Sequence, residues 1–440
     1  MNGPGKTRRR PWLVATLVLG LVIAAASLAM LAISRTWAVQ GESVTVALTA
    51  APPGAAYSGA PVDYARLEAR IALLMQQPEM VGLAVGTIEN GRVRFTKGYG
   101  ETRANSGDRV TPDTVFRWAS LSKSVASAVV VGLAQDGKLS LAAPLSRFGT
   151  SLTLPGGATA RVSVADLLSH RLGLPRNAWD DRLEAGEAPQ LLRAGLASVP
   201  LSCPPATCYS YQNIAYDTAS EIVEHVSGTA YANVARDRLF VPLGMTSATI
   251  GRTGLEASPS WARPHRGGRR EVVVGEPYYR VPAAGGVNSS IRDLLRWMDA
   301  QMGDRPDVVS PTELAIMHVA RVPTPPHGRR GAMDRALQHA SYGLGWRTYD
   351  YAGHQLVGHR GSVDGYGALI LFDPALRSGI VMLWNSNHSR AASLQLEFFD
   401  QLYGLPATDW LALPVPPPVI AAAGPGPVTV GTATAGRTAR

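Results

Sequence analysis

Phe116-Arg117-Trp118-Ala119-Ser120-Leu121-Ser122-Lys123 leads into SVASAVVVGLAQ, residues 124 to 135, before Asp136-Gly137 stops the pattern. The small and apolar residues predict a helix from about Ser120 to Gln135. Ser120 and Lys123 are three apart, so on a helix they share a face. Ser120 would sit in the first turn, where the helix dipole favours developing negative charge. A buried Lys123 would have a lowered pKa and could take the serine proton. Ser122, adjacent in sequence, faces elsewhere. The opposing reading is a surface lysine beside a capping serine. Composition weighs against it: only Lys6, Lys97, Lys123 and Lys138 occur among 42 basic residues. A chain that uses arginine almost wherever a positive charge suffices has placed here the one basic side chain that can become a neutral amine.

Two further constellations lie downstream. Tyr211-Gln212-Asn213 precedes a helical pattern. A phenolate beside an ammonium can act as a base, and a carboxamide can hold a substrate amide. An Asn cap with a packed Tyr reads the same residues without chemistry. His359-Arg360-Gly361-Ser362 stands at the mouth of a predicted strand. Gly361 would let a substrate lie close to the strand edge. The backbone N–H groups of Ser362 and Ser120 could form an oxyanion hole. Arg360, as the middle residue, is expected to point to the opposite strand face. No G-x-S-x-G elbow, Walker A loop, G-x-G-x-x-G or H-E-x-x-H is present.

Around these motifs the chain reads as strands, a long helical insert, then strands and a helix. Val81–Ile88 and Arg92–Gly98 flank an Asn-Gly turn and predict a hairpin. Val164–His170, Ile214–Val226, Tyr231–Leu239, Ile291–Gln301 and Pro311–His318 fit helical periods. Gly343–Tyr349, Gln355–Gly358, Gly367–Phe372 and Gly379–Trp384 read as strands, and Ser389–Tyr403 as a last helix. The expected fold is α+β. One antiparallel sheet is built from both ends of a domain spanning 62–413, flanked by helices. A helical lobe at about 140–320 is inserted, with the site in the cleft between.

In this order the motifs resemble the serine β-lactamase and penicillin-binding-protein superfamily, in its class C β-lactamase-like branch of DD-peptidases, D-aminopeptidases and esterases. The resemblance rests on Phe116 to Lys123 and on Asp166-Leu167-Leu168-Ser169-His170-Arg171-Leu172-Gly173-Leu174-Pro175, where Leu172 replaces the usual Ser. It also rests on Tyr209 to Tyr216, Phe240-Val241-Pro242-Leu243-Gly244-Met245, Gly285-Gly286 followed by Asp293, and Gly358 to Gly361. It implies that Ser120 is the acyl-accepting nucleophile and Lys123 its proton partner. Tyr211 would be the general base and later the acid toward the leaving group. Asn213 would bind the substrate amide, with His359 and Gly361 lining the edge strand. Such a site requires no metal or cofactor. The third motif departs from the lysine-bearing K-T-G of dedicated class C β-lactamases. A largely neutral imidazole there shifts the expectation from β-lactam hydrolysis toward an ester, D-amino-acid amide or cell-wall peptide. The competing functions are a true β-lactamase and a catalytically inactive penicillin-binding sensor.

The ends carry other information. Trp12 to Ser34 is free of charge and long enough to span roughly 30 Å of hydrocarbon. Basic residues in 1–11 precede it, so the positive-inside rule places the N-terminus in the cytoplasm and the body outside. A long cleaved signal peptide is the alternative, and both readings export the body. Residues 35–61 read as a linker and 414–440 as a disordered tail. The net charge of +9 is mostly theirs: the two ends carry +6 and leave +3 for the body, a poor footprint for nucleic acid. Two basic clusters, 263–270 and 327–330, read as solvated loops or as contacts to an anionic substrate or membrane. Cys203 and Cys208 read as a local disulfide, allowed by export, against two free buried thiols. The expected partners are a small-molecule or peptide substrate and, through the N-terminal helix, a membrane. The sequence carries no signal of oligomeric state.

Overall fold

The computed structural model describes residues 61–324 and 331–413. The expected anchor at 12–34, the flanking segments 1–11 and 35–60, the tail 414–440 and the cluster 327–330 lie outside the described residues. Among the described residues no helix is long and apolar enough to cross a membrane.

The organising element is an eight-stranded antiparallel sheet. Its strands are β1 (Gly82–Glu89), β2 (Arg92–Gly100), β3 (Val322–Pro323), β4 (Gln338–Tyr342), β5 (Arg347–Tyr351), β6 (His354–Val363), β7 (Tyr366–Asp373) and β8 (Ser378–Trp384). Their spatial order is β2-β1-β8-β7-β6-β5-β4-β3, so the first hairpin pairs with the last strand and the sheet is closed from both chain ends. Asn90 and Gly91 turn the hairpin with φ of 49° and 68°, the pair of left-handed residues a two-residue turn needs.

The central strands β1, β7 and β8 are buried along their whole length, because both sheet faces are covered. Their side chains alternate between two cores. On β8, Ile380, Met382 and Trp384 join the core under helices α1 (Tyr64–Met75) and α4 (Leu394–Leu402). Val381 and Leu383 join the larger core shared with the helical lobe. That core also receives α2 (Ser122–Gln135), twelve of whose residues are buried. Such burial explains why α2 carries Val, Ala and Ser on every side rather than a polar stripe.

Several boundaries move. The predicted helix from Ser120 is a 3₁₀ turn, Ala119–Leu121, followed by α2. The predicted strand Gly343–Tyr349 is met only from Arg347, where β5 begins; its first four residues form the bend between β4 and β5. Gly345 at its corner has φ of 73°, and a Cβ there would lie 2.5 Å from the Lys123 carbonyl oxygen. The third motif sits well inside β6 rather than at a strand mouth. Nor is β6 an edge strand, since it lies between β5 and β7. Its pairing with β5 nevertheless ends at Gly358, so residues 359–363 keep one free side.

Cys203 and Cys208 form a disulfide, as the first of the two readings expected. The cluster at 263–270 is divided: Arg266 and Arg270 are exposed, whereas Arg263 and Arg269 are engaged internally. The Arg263 guanidinium lies 3.3 Å over the Trp261 ring, and Arg269 donates to the Met80 carbonyl at 2.6 Å.

Candidate active site

Ser120 is placed by a tight turn. Ala119 has φ of 50°, a left-handed conformation that costs roughly 1–2 kcal/mol for a residue with a Cβ. Trp118 is locked from both sides: its backbone N–H donates to the Val287 carbonyl, and its indole N–H to Ser289. The turn therefore projects Ser120 into the cleft while α2 carries Lys123 into the interior, where it is fully buried.

Around Lys123 the partners can be counted. Nζ lies 2.8 Å from Asn213 Oδ1, 3.0 Å from the Ala284 carbonyl oxygen and 3.3 Å from Ser120 Oγ. Two of these accept only. Burial lowers the ammonium pKa to about 7; the carboxylates of Asp180 and Asp217 oppose the shift and Arg347 assists it. A neutral amine has two N–H donors and one lone pair. The donors go to Asn213 and Ala284, and the lone pair is left for Ser120. On the other side, the Tyr211 hydroxyl donates to Ser120 Oγ at 2.7 Å. Burial pushes that phenol up to about 12, so it holds its proton at neutral pH. The phenolate base implied by the resemblance differs from this resting state. The two shifts favour a neutral amine and a protonated phenol at rest.

Asn213 does not present a free amide. Oδ1 accepts from Lys123, and Nδ2 donates to Asp180 Oδ2 at 2.7 Å. Gly361 brings β6 against the nucleophile turn. A Cβ there would lie 2.2 Å from the Trp118 carbonyl oxygen and 3.0 Å from the Ser120 nitrogen. Ser362 follows at the cleft and lines the same cavity as Ser120.

His359 is buried, and a chain of hydrogen bonds fixes its tautomer. His170 Nδ1 accepts from the Gln212 backbone N–H, so its proton sits on Nε2 and is donated to the Tyr342 hydroxyl, 3.3 Å away. Tyr342 must then donate to His359 Nε2 at 2.9 Å. His359 carries its own proton on Nδ1 and donates it to the Arg360 carbonyl at 2.8 Å. Each polar atom of this His–Tyr–His chain is paired only if both imidazoles are neutral. Burial and neighbouring cations hold both pKa values well below 6.5 in accord with that. His359 thus supplies no positive charge to the cleft.

Positive charge comes from elsewhere. Arg176, Arg347, Arg360, Tyr211 and His359 line one cavity. Strand alternation does put Arg360 on the face of Leu356, opposite His359. The expected face is the one observed, yet Arg360 still lines this cavity. Beyond Gly358 the strand has a free side, and a guanidinium on a long stem reaches the cavity across it. Asp334 partly neutralises Arg360 at 3.0 Å. Arg347 donates to the Tyr209 hydroxyl at 2.9 Å. A second cavity, lined by Ser120, Asp180, Glu184, Ser362 and Asp364, lies on the other side of Tyr211, which borders both. Among the described residues no group of three or more His, Cys, Asp or Glu side chains is placed to hold a metal ion.

The structure thus brings Ser120, Lys123, Tyr211 and Asn213 into direct contact and sets Gly361 and Ser362 beside them. His170, Tyr342, Arg347 and Asp180 are additions to the residues singled out in the sequence. His170 stood in a quoted motif, and the other three carried no local signal.

Residues 67–401 match the family model described as Beta-lactamase. Among curated proteins, the unguisins hydrolase ungD' of Aspergillus campestris is 29% identical over 346 residues, 76% of this chain and 63% of that protein. The chain therefore spans under two thirds of that relative's length. Penicillin-binding protein 4 of Amycolatopsis lactamdurans is 26% identical, covering 78% of this chain and 90% of that one. Among solved structures, an octameric penicillin-binding protein homologue from Pyrococcus abyssi superposes with a TM-score of 0.70 at 25% identity over 78% of each chain. A D-stereospecific amidohydrolase from Streptomyces sp., at 20% identity and a TM-score of 0.62 over 79% of this chain and 100% of that one, shares the fold.

Proposed function

The chain belongs to the beta-lactamase family, within the serine β-lactamase and transpeptidase superfamily, and from that premise we propose that it forms an acyl-enzyme on Ser120 and hydrolyses an ester, a D-amino-acid amide or a cell-wall peptide. The observation that carries this reading is the placement of Ser120 Oγ, 3.3 Å from a buried Lys123 amine and 2.7 Å from a protonated Tyr211 phenol.

Attack begins when the Ser120 hydroxyl gives its proton to Lys123 Nζ and Oγ bonds to the substrate carbonyl carbon. The carbonyl oxygen becomes an oxyanion facing the backbone N–H groups of Ser120 and Ser362. Collapse breaks the bond to the leaving group, which takes the Tyr211 proton. The phenolate so formed lies beside the new ammonium, whose nitrogen is 4.7 Å from the ring centre. Passing the proton from Lys123 to Tyr211 restores both groups. Water then repeats the sequence on the acyl-enzyme and releases the acid. Arg347 and Arg360 favour a leaving group that carries an anion, since they line the cavity on the far side of Tyr211 from Ser120.

The uncharged run at 12–34 and the Cys203–Cys208 disulfide support export, and we place the body outside the cytoplasmic membrane on a single anchor. A fluorescent fluorophosphonate should label the wild type and spare Ser120→Ala. Hydrolysis of p-nitrophenyl esters, D-amino-acid anilides and nitrocefin then ranks the substrates. Equal labelling of the two proteins rejects the nucleophile.

A further inference from the structure

We propose that the acidic half of the cleft is an ammonium subsite in which Asp180, supported by Glu184, receives the free amine of the acyl residue. The inference rests on the acyl-enzyme reading and adds to it a substrate class: acyl donors with an unblocked amino group.

Asp180 is 8% exposed, yet it lines the cavity beside Ser120. Its Oδ2 accepts from Asn213 Nδ2 at 2.7 Å and is 3.5 Å from the Tyr278 hydroxyl. Its Oδ1 is buried and has no hydrogen-bond partner. A buried carboxylate oxygen without a donor is costly, and a ligand N–H bordering the same space would satisfy it. Glu184 lies one helical turn further along α3 (Asp180–Glu184) and accepts from Tyr278 at 2.7 Å. Arg266, the one cation among the described residues lining this cavity, stands 3.9 Å from Asp364 and offsets that carboxylate rather than Asp180.

The position of Asp180 is built rather than incidental. Asn177 and Trp179 adopt left-handed φ of 52° and 62° to turn the chain into α3. The Asn177 backbone N–H donates to the Tyr211 carbonyl at 2.8 Å, tying this turn to the phenol's own segment. Asp180 also fixes which way the Asn213 amide points. With one N–H given to Asp180 and its oxygen accepting from Lys123, Asn213 keeps a single N–H for a substrate carbonyl. Beside that one donor the cavity presents the carboxylates of Asp180, Glu184 and Asp364, and the ligand group that matches them is a donor with positive charge.

The same layout decides which part of the substrate carries it. Ser120 and Ser362 line the acidic cavity, so the acyl carbon and its substituents lie there. Tyr211 borders both cavities, as the proton donor to a leaving group departing toward Arg347 must.

The test has a binding arm and a chemical arm. On Ser120→Ala protein, calorimetry compares D- and L-alaninamide with their N-acetyl derivatives at pH 7. The free amine should bind about tenfold to a hundredfold more tightly, the range one charge-assisted hydrogen bond supplies. Asp180→Asn, which keeps an acceptor for Asn213, should bring that ratio close to one. Glu184→Gln, at an exposed position, should reduce it several-fold and serves if the first variant fails to fold. In the chemical arm, wild-type kcat/KM for alanine p-nitroanilides should favour the free amine over the N-acetyl form. Equal binding of blocked and free ligands, with fluorophosphonate still labelling Ser120, overturns the subsite and leaves the hydrolase standing. A preserved amine preference in a protein that no probe acylates overturns the hydrolase and leaves the subsite.

Discussion

Replacing Lys123 by Arg isolates the proton transfer from the charge. The guanidinium keeps the positive charge but has a pKa above 12 and never offers a lone pair. In the wild type, an amine with a pKa of about 7 is half neutral at pH 7. An amine left at its ordinary 10.5 would be neutral in only about one molecule in 3,000. Burial thus raises the concentration of competent base about a thousandfold. General-base transfer contributes roughly 10²–10⁴-fold, so Lys123→Arg should slow acylation by about 10³, close to 4 kcal/mol of barrier. The assay is the second-order rate of fluorophosphonate labelling across pH 5.5 to 9. The wild-type rate should rise tenfold per pH unit below about 7 and level off above it, because the lowered pKa makes the amine neutral only on the alkaline side. The variant should be slow and flat, with an unchanged circular dichroism spectrum. Labelling of Lys123→Arg within tenfold of wild type, with the same rise through pH 7, refutes the assignment.

Other perturbations test the surrounding geometry. Tyr342→Phe strands His170 Nε2 and His359 Nε2 without partners and should lower the unfolding free energy by about 2–4 kcal/mol in urea titrations; an unshifted midpoint contradicts the His–Tyr–His chain. Gly361→Ala forces a Cβ to 2.2 Å from the Trp118 carbonyl and should cut the labelling rate by about 10² through displacement of the nucleophile turn. Wild-type kinetics in that variant would show that β6 does not pack against Ser120 as described. Arg347→Gln removes a cation that lowers the Lys123 pKa, so the acid limb of the labelling profile should move to higher pH. The same variant should lose preference for leaving groups bearing a carboxylate, and a limb that moves the other way argues against the electrostatics.

The nucleophile turn was legible because its chemistry is local: Ser120 and Lys123 are one turn apart, and lysine is scarce enough here to carry meaning. The sheet was legible because β-prone runs lie at both ends of the domain and an Asn-Gly turn marks the first hairpin. Asp180, Tyr342 and Arg347 were not legible. Asp180 enters from α3, Tyr342 and Arg347 from paired positions of β4 and β5, and nothing in their neighbouring residues distinguishes them from an ordinary surface Asp, core Tyr or strand Arg. His170 was quoted in a motif, but its role depends on Tyr342, 172 residues away. The reach of Arg360 into the cavity was not legible, for a geometric reason. Alternation assigned its face correctly, but only the sheet's pairing shows that β6 outruns β5 and leaves a side for the long side chain to cross. The resting state of Tyr211 likewise follows from burial, which no spacing rule reports.

The account turns on a lysine that is neutral near pH 7, and the scarcity of lysine makes that directly measurable. In protein labelled with ¹³C at lysine Cε, at most four side-chain signals are present, from Lys6, Lys97, Lys123 and Lys138. A pH titration followed by NMR should show one signal, absent from Lys123→Arg, with a midpoint near 7. A Lys123 signal that stays protonated up to about pH 10 contradicts the proposed proton transfer.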